Sequence, residues 1–139
     1  MEFQPIDRLT DAQVEDLHRM FQNEWWTKGR TLEEVRAMLQ GSDIVVGLGE
    51  PVSRRLAGFA RVQTDGVFKA LIFDVIIDPA FRGRGLGRRL MARILGHPRL
   101  ARVRHFELYC LPEMAPFYER WGFTEEVAGV VLMRRIGVP

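Results

Sequence analysis

A length of 139 residues, of which 47% are hydrophobic and 27% charged, suits a single compact domain spanning residues 1–139. The formal net charge of only +2 argues against a nucleic-acid partner, and no apolar run is long enough to cross a membrane. The lone Cys110 cannot form an internal disulfide, and the start of the chain lacks the basic-then-apolar pattern of a secretion signal. We therefore expect a cytoplasmic protein.

The first part of the chain predicts one short strand and two helices. Residues Phe3–Asp7 fit a strand, and Thr10 or Asp11 can cap a helix whose apolar residues recur at spacings of three and four. A second helix begins at a capping box, in which Thr31 and Glu34 satisfy each other's backbone N–H groups. Gly41 is expected to end that helix.

The period then changes to that of β-strands. Strands are predicted at Asp43–Leu48, Leu56–Gln63 and Phe68–Ile77, the last of them buried on both faces and ended by Pro79. Simple alternation along this strand puts Ile72, Asp74 and Ile76 on one face.

The second half of the chain continues the mixture of helices and strands. A helix is predicted from Gly85 or Gly87 to Leu95, a strand at His105–Cys110, a short helix at about Ala115–Trp121, and one or two strands within Glu125–Arg134. The resulting order, β-α-α-β-β-β-α-β-α-β, predicts an α/β fold in which a mixed sheet is covered by helices.

The stretch FRGRGLGRRL, residues 81–90, joins the longest apolar strand to the following helix. Backbone N–H groups at the start of a helix have no internal partner, and glycines let an anion approach them closely, so the stretch predicts a phosphate cradle. The dinucleotide fingerprint fails because Arg88 and Leu90 stand where glycine is needed, and the Walker pattern is absent. A glycine-rich turn without a ligand is the alternative reading.

Two blocks resemble the GNAT superfamily of N-acetyltransferases. The segment FDVIIDPAFRGRGLGRRLM resembles the family's acetyl-CoA-binding segment, with Arg82, Gly85 and Gly87 filling its Q/R-x-x-G-x-G/A signature. The later block PFYERWGF resembles the family's helix in which a Phe-Tyr pair precedes Gly-Phe. Both blocks occur in the family's order. The resemblance implies a mostly antiparallel mixed sheet, flanked by helices, with two strands splayed around the acyl-CoA site.

The resemblance also implies acetyl-CoA as the cofactor, with CoA as its product. Pantetheine would pair with the strand end, and the strand would separate from His105–Cys110 to admit the thioester. One departure is that Cys110–Glu113 contains no Asn where family members often carry one, which puts one cofactor hydrogen bond in doubt. The cofactor-binding residues implied are Val75, Ile76 and Ile77 on the strand, and Arg82, Gly83, Arg84, Gly85, Leu86, Gly87 and Arg88 on the loop.

The implied reaction is transfer of an acetyl group to a primary amine of a small molecule by direct attack. Tyr118 resembles the family's general acid, although it can also be read as a packing residue. Family members often form homodimers, and the C-terminal strands could supply the edge for one. A non-catalytic module that binds acetyl-CoA or CoA is the alternative from another functional class.

The candidates for the general base and for the acceptor pocket are single residues rather than motifs. Asp74, a carboxylate in an apolar strand, could be a base, an anchor for the amine substrate, or a structural partner of an arginine. Glu107 is a second candidate base, with a solvent-facing position as its alternative. Trp25 and Trp26 could wall a pocket for an aromatic or cationic amine, or could pack the first two helices together. No His, Cys or Asp spacing suggests a metal site.

Overall fold

The computed structural model describes residues 2–138 and divides them into two compact units, the first ending at Tyr109 and the second beginning at Cys110. The single-domain organisation expected from the sequence stays a prediction. The first unit contains β1 (Gln4–Ile6), α1 (Asp11–Phe21), α2 (Leu32–Gly41), β2 (Ile44–Gly49), β3 (Leu56–Thr64), β4 (Lys69–Ile77), α3 (Leu86–Leu95) and β5 (His105–Leu108). The second contains α4 (Ala115–Glu119).

The five strands form one sheet in the order β1-β2-β3-β4-β5. Pairing is antiparallel between neighbours from β1 to β4, and parallel between β4 and β5. The mixed, mostly antiparallel sheet predicted from the sequence is therefore confirmed. Parallel neighbours need a crossover, and here α3 lies in the connection between β4 and β5.

Helices cover both faces of the sheet. Apolar side chains of α1 and α2 pack against one face in a cluster that includes Phe59 of β3 and Ile76 of β4. Helix α3 packs on the other face, where Leu90 lies against Gly58. Both helix starts on the first face have complete capping boxes: Thr10 with Gln13, and Thr31 with Glu34 as the sequence predicts.

Three sequence expectations need correction. Strand β4 has helices over both faces, but only Ala70, Ile72 and Ile76 of its nine residues are fully buried. Among residues 2–138, its far half also has no strand neighbour on the β5 side. Strand β5 ends at Leu108, which leaves Cys110 exposed outside it. Within residues 2–138, Glu125–Arg134 contains no strand, because this segment has β-forming residues but no backbone ladder to join.

Candidate functional site

The glycine stretch folds into a tight connection between β4 and α3. Asp78 caps a short 3₁₀ turn, Pro79–Phe81, by accepting a hydrogen bond from the N–H of Ala80 at 2.8 Å. Gly83 and Gly85 then adopt φ angles of 78° and 74°, in the left-handed region that other residues enter only at a cost. Gly85 is also the N-cap residue of α3 and, as a glycine, has no side chain to cap that helix.

Backbone N–H groups in this loop lack protein acceptors. From Gly83 to Arg88, none of the six consecutive N–H groups donates a hydrogen bond to any of the residues 2–138. Space around the two left-handed glycines is open, since a Cβ built on either would meet no atom within 4 Å. Open, unpaired donors at a helix start carry partial positive charge, so the residues present fit a bound phosphate group.

Arginine side chains surround the loop but are partly engaged elsewhere. Arg82 donates to the carboxylate of Glu24 at 2.6 Å, and Arg84 stacks over the ring of Phe81 at 5.8 Å. The cradle therefore depends on main-chain donors, with arginine charge at its rim.

A gap opens in the sheet next to this loop. The parallel pairing of β4 with β5 ends at Ile72 and Leu108, although β4 continues to Ile77. Beyond Ile72, β4 keeps β3 on one side, and no strand within residues 2–138 pairs with it on the other. Val75, Ile76 and Ile77 lie in this one-sided stretch. Their backbone is therefore available to an extended ligand that runs from the glycine loop along the strand.

A β-bulge lies at the start of the gap. Phe59 pairs with Ile76 and Arg61 with Phe73, so Ala60 faces two residues of β4, Asp74 and Val75. Asp74 adopts a φ of 56° to make the bulge. Because of the extra residue, Ile76 faces the α1–α2 cluster.

The expected grouping of Ile72, Asp74 and Ile76 on one face is therefore wrong. Ile72 pairs with Val62, which lies on the same side of β3 as Gly58, the side covered by α3. The bulge interrupts the period of two between Ile72 and Ile76.

Asp74 forms an ion-pair cluster with two arginines. Both of its oxygens accept hydrogen bonds from Arg30, at 2.9 and 3.1 Å, and Oδ2 also accepts one from Nε of Arg61 at 2.7 Å. The Asp74 side chain is only 6% exposed. These contacts favour the reading in which Asp74 is a structural partner of two arginines. Sequence reasoning did not identify Arg30 or Arg61.

Glu107 lies on β5, one residue before the pairing with β4 ends. Both of its carboxylate oxygens lie 3.0 Å from Nζ of Lys69, and the pair is exposed. Glu107 is thus near the gap but already has a cationic partner.

The segment between α1 and α2 carries the two tryptophans. Trp25 is 73% exposed and Trp26 39%, so Trp25 does not pack the two helices together. Thr27 anchors the segment, because its buried hydroxyl donates to the carbonyl of Phe21 at 2.8 Å. The same segment holds Glu24, the partner of Arg82, and ends at Arg30.

Tyr118 belongs to the second unit, where it packs edge-on against Phe117 and Phe123. It is 8% exposed. Burial, with a smaller contribution from the Cys110 thiolate, raises the pKa of Tyr118 to about 12. The pKa of Cys110 is itself raised, by desolvation and by the carboxylates of Glu125 and Glu113. A thiol held neutral in this way is a poor nucleophile.

Comparison with known proteins decides the family. A family model described as an acetyltransferase (GNAT) domain matches residues 41–125, more than half of the chain and the whole glycine loop. The chain belongs to the GNAT family. It is an N-acetyltransferase by this match and by its relatives, and the family resemblance of the two sequence blocks is confirmed.

Curated relatives agree with this assignment. A Porphyra purpurea protein named uncharacterized N-acetyltransferase ycf52 is 35% identical over 127 residues, which cover 90% of this chain and 72% of that protein. Serotonin N-acetyltransferase 2, chloroplastic, of Oryza sativa is 36% identical over 102 residues, which cover 68% of this chain and 48% of the rice protein. The match with this chain thus covers about half the length of the rice protein.

A solved structure supports the same fold. A Xanthomonas campestris protein described as belonging to the GNAT family superposes with a TM-score of 0.84 at 30% identity. The superposition covers 98% of this chain and 94% of that one. Among residues 2–138 there is no helix long and apolar enough to cross a membrane.

Proposed function

We propose that this protein transfers the acetyl group of acetyl-CoA to a primary amine of a small molecule. The observation that carries the proposal is the run of six unpaired N–H groups from Gly83 to Arg88, which lies beside the gap that β4 leaves beyond Ile72. GNAT acetyltransferases generally use acetyl-CoA. A phosphate cradle next to an open strand edge fits a ligand with a pyrophosphate at one end and an extended amide chain at the other.

Each part of the site has a role in this proposal. The backbone of Arg82, Gly83, Arg84, Gly85, Leu86, Gly87 and Arg88 holds the pyrophosphate, and the open edge at Val75, Ile76 and Ile77 pairs with pantetheine. When bound, acetyl-CoA supplies a thioester carbonyl that a neutral amine can attack. Backbone N–H groups at the open edge can stabilise negative charge on that carbonyl oxygen.

Proton transfer completes the reaction. We assign the general acid to Tyr118, whose hydroxyl is protonated at neutral pH, as that of any tyrosine is, and whose pKa burial raises to about 12. Transfer from a phenol with a pKa of about 12 to a thiolate whose thiol has a pKa of about 8.5 is uphill by about 5 kcal/mol, a cost that the acetyl transfer as a whole has to cover. Glu107 is the candidate base in preference to Asp74, because Asp74 is held by two arginines.

The acceptor segment is assigned to Trp25 and Trp26. Their exposure leaves indole surface available to a substrate. The name of the rice relative specifies serotonin, an amine with an aromatic ring. That name also specifies the chloroplast, and the cytoplasmic location expected from the sequence stays a prediction. Homodimer formation likewise stays a prediction.

Thermal unfolding with excess acetyl-CoA, CoA, NAD or ATP tests the cofactor. A ligand at a hundred times its dissociation constant adds about 2.7 kcal/mol to the free energy of unfolding. We expect acetyl-CoA and CoA to raise the melting temperature and NAD and ATP to leave it unchanged. Thiol release from acetyl-CoA with a panel of amines then tests turnover. Stabilisation without turnover would favour the non-catalytic module, and no stabilisation would remove the cofactor assignment.

A further inference from the structure

We propose that Arg61 binds an oxyanion on the acceptor, a carboxylate or a phosphate, so that the preferred substrates are amines that also carry a negative group. The inference rests on the proposed function, since it names the substrate class of the same site. It depends on the cluster of Arg30, Arg61 and Asp74 and on the position of this cluster in the sheet.

Arg61 lies where β4 and β5 separate. It pairs with Phe73, the first residue of β4 beyond the parallel ladder, and its guanidinium carbon is 4.8 Å from the centre of the Phe73 ring. The ring of Tyr109, just after β5, meets Phe73 edge-on at 5.9 Å. The guanidinium group of Arg61 thus lies over Phe73, and the pair of Phe73 and Tyr109 lies where the gap between β4 and β5 begins.

The donors of the two arginines are used unequally. Arg30 directs both terminal nitrogens to Asp74, whereas Arg61 contacts Asp74 only through Nε. Neither terminal nitrogen of Arg61 donates to an acceptor within residues 2–138, although the side chain is only 17% exposed. A guanidinium whose side chain is mostly buried, and whose two terminal nitrogens have no protein acceptor within residues 2–138, matches a carboxylate or phosphate in geometry and charge.

The charges of the cluster do not cancel. Two guanidinium groups share one carboxylate, which leaves a net charge of +1. Glu24 and Glu107, on flanking segments, already pair with Arg82 and Lys69. Glu34 lies near Arg30, and its carboxylate accepts a hydrogen bond from the N–H of Thr31. Within residues 2–138, none of these three carboxylates forms an ion pair with Arg61. An acceptor with both an amine and an oxyanion satisfies the excess charge, and the neighbouring cations favour the neutral form of the amine that attacks.

Matched acceptors and a matched variant test the inference. The acceptor pairs are tyrosine with tyrosinamide, and O-phosphoethanolamine with ethanolamine, so that each pair differs in the anionic group and the two pairs separate carboxylate from phosphate. The variant is Arg61→Gln, which leaves Asp74 paired with Arg30 and should fold. The control is Arg104→Gln, because Arg104 also stacks on a phenylalanine ring, that of Phe68 at 5.1 Å, away from the cluster.

We expect wild type to prefer the anionic member of at least one pair by tenfold or more in kcat/KM. Arg61→Gln should abolish that preference mainly through KM, Arg61→Lys should keep part of it because the charge remains, and Arg104→Gln should keep all of it. Calorimetric binding of the same compounds to the CoA-loaded protein gives a readout without turnover. Equal binding of both members of each pair, or an unchanged preference in Arg61→Gln, would overturn the inference. Failure of the proposed function is distinct, since it appears as absent turnover with every amine.

Discussion

Arg82, the first residue of the signature, donates to Glu24 across 2.6 Å and so ties the glycine loop to the segment between α1 and α2. Both side chains are partly exposed, and such ion pairs contribute about 1 kcal/mol or less. The charge of the signature arginine is therefore partly engaged within the protein. Anion binding by the loop should depend on backbone geometry more than on this side chain.

Gly85→Glu should abolish measurable acetyl-CoA binding. The substitution puts a negative side chain beside the unpaired N–H groups and forces a non-glycine residue to a φ of 74°. Calorimetric titration with acetyl-CoA measures the affinity. Gly66→Glu is the matched control, because Gly66 has a φ of 77° and equally open surroundings in the β3–β4 turn, and it should keep wild-type affinity.

Arg82→Gln should weaken acetyl-CoA binding only several-fold in the same titration. A complete loss of binding in this variant would contradict a site built from backbone N–H groups.

Asp74→Asn should destabilise the first unit by about 2 kcal/mol. Replacing a buried carboxylate removes the counter-charge of two guanidinium groups, and the usual cost of 3–5 kcal/mol is reduced here because both arginines keep some access to water. Asp11→Asn is the control, since Asp11 pairs with Arg36 at the surface and should change stability by less than about 1 kcal/mol. Urea unfolding followed by tryptophan fluorescence compares the two. Similar losses in both variants would mean that the cluster is not structural.

Asp74 also shows how far sequence reasoning reached at this site. A carboxylate in an apolar strand marked the position, but neither its partners nor its face could be derived. Arg30 is 44 residues away in the chain and Arg61 lies on the neighbouring strand, so their convergence depends on packing of the α1–α2 segment against the sheet. The bulge could not be predicted from a glycine in the sequence, because the residue with the positive φ is Asp74 itself.

The glycine loop and the helix starts could be predicted because their sequence signals are local, unlike the contacts of Asp74. Capping boxes and glycines at a strand end act over three or four residues, so Thr31, Glu34 and Gly85 carry their own signal. Strands need a partner ladder, which local sequence does not encode. The segment Glu125–Arg134 has the composition of a strand and no ladder within the described residues, and the prediction failed there.

Glu107→Gln should lower turnover if Glu107 removes the proton of the amine. General-base catalysis contributes about 10²–10⁴-fold, so kcat should fall within that range while acetyl-CoA affinity stays at the wild-type value. Lys69→Gln is the control, because it breaks the same ion pair and leaves the carboxylate in place. Steady-state kinetics with a saturating amine compare the two variants. Equal losses would point to the ion pair, and no loss in either would leave deprotonation to water.

Tyr118→Phe should lower kcat by about 10²-fold or more and leave acetyl-CoA affinity nearly intact. The hydroxyl is the only group removed, and burial raises its pKa from about 10 to about 12, so the phenol is protonated at neutral pH with a wide margin. Phe123→Leu is the control, since it alters the packing around Tyr118 and keeps the hydroxyl. Steady-state rates and calorimetry separate the two effects. A normal rate in Tyr118→Phe would make Tyr118 a packing residue.

The raised pKa of Tyr118 also predicts alkaline instability. A phenol that titrates at about 12 in the folded protein and at about 10 in the unfolded chain is bound to its proton more tightly when folded. The stability that this provides is complete below pH 10 and is lost as the pH rises from 10 towards 12, by up to about 3 kcal/mol. Tyr118→Phe should therefore have a flatter dependence of unfolding free energy on pH in that window than wild type. Phe123→Leu should lower stability at every pH and keep the wild-type slope, and an unchanged slope in Tyr118→Phe would show that another group titrates there.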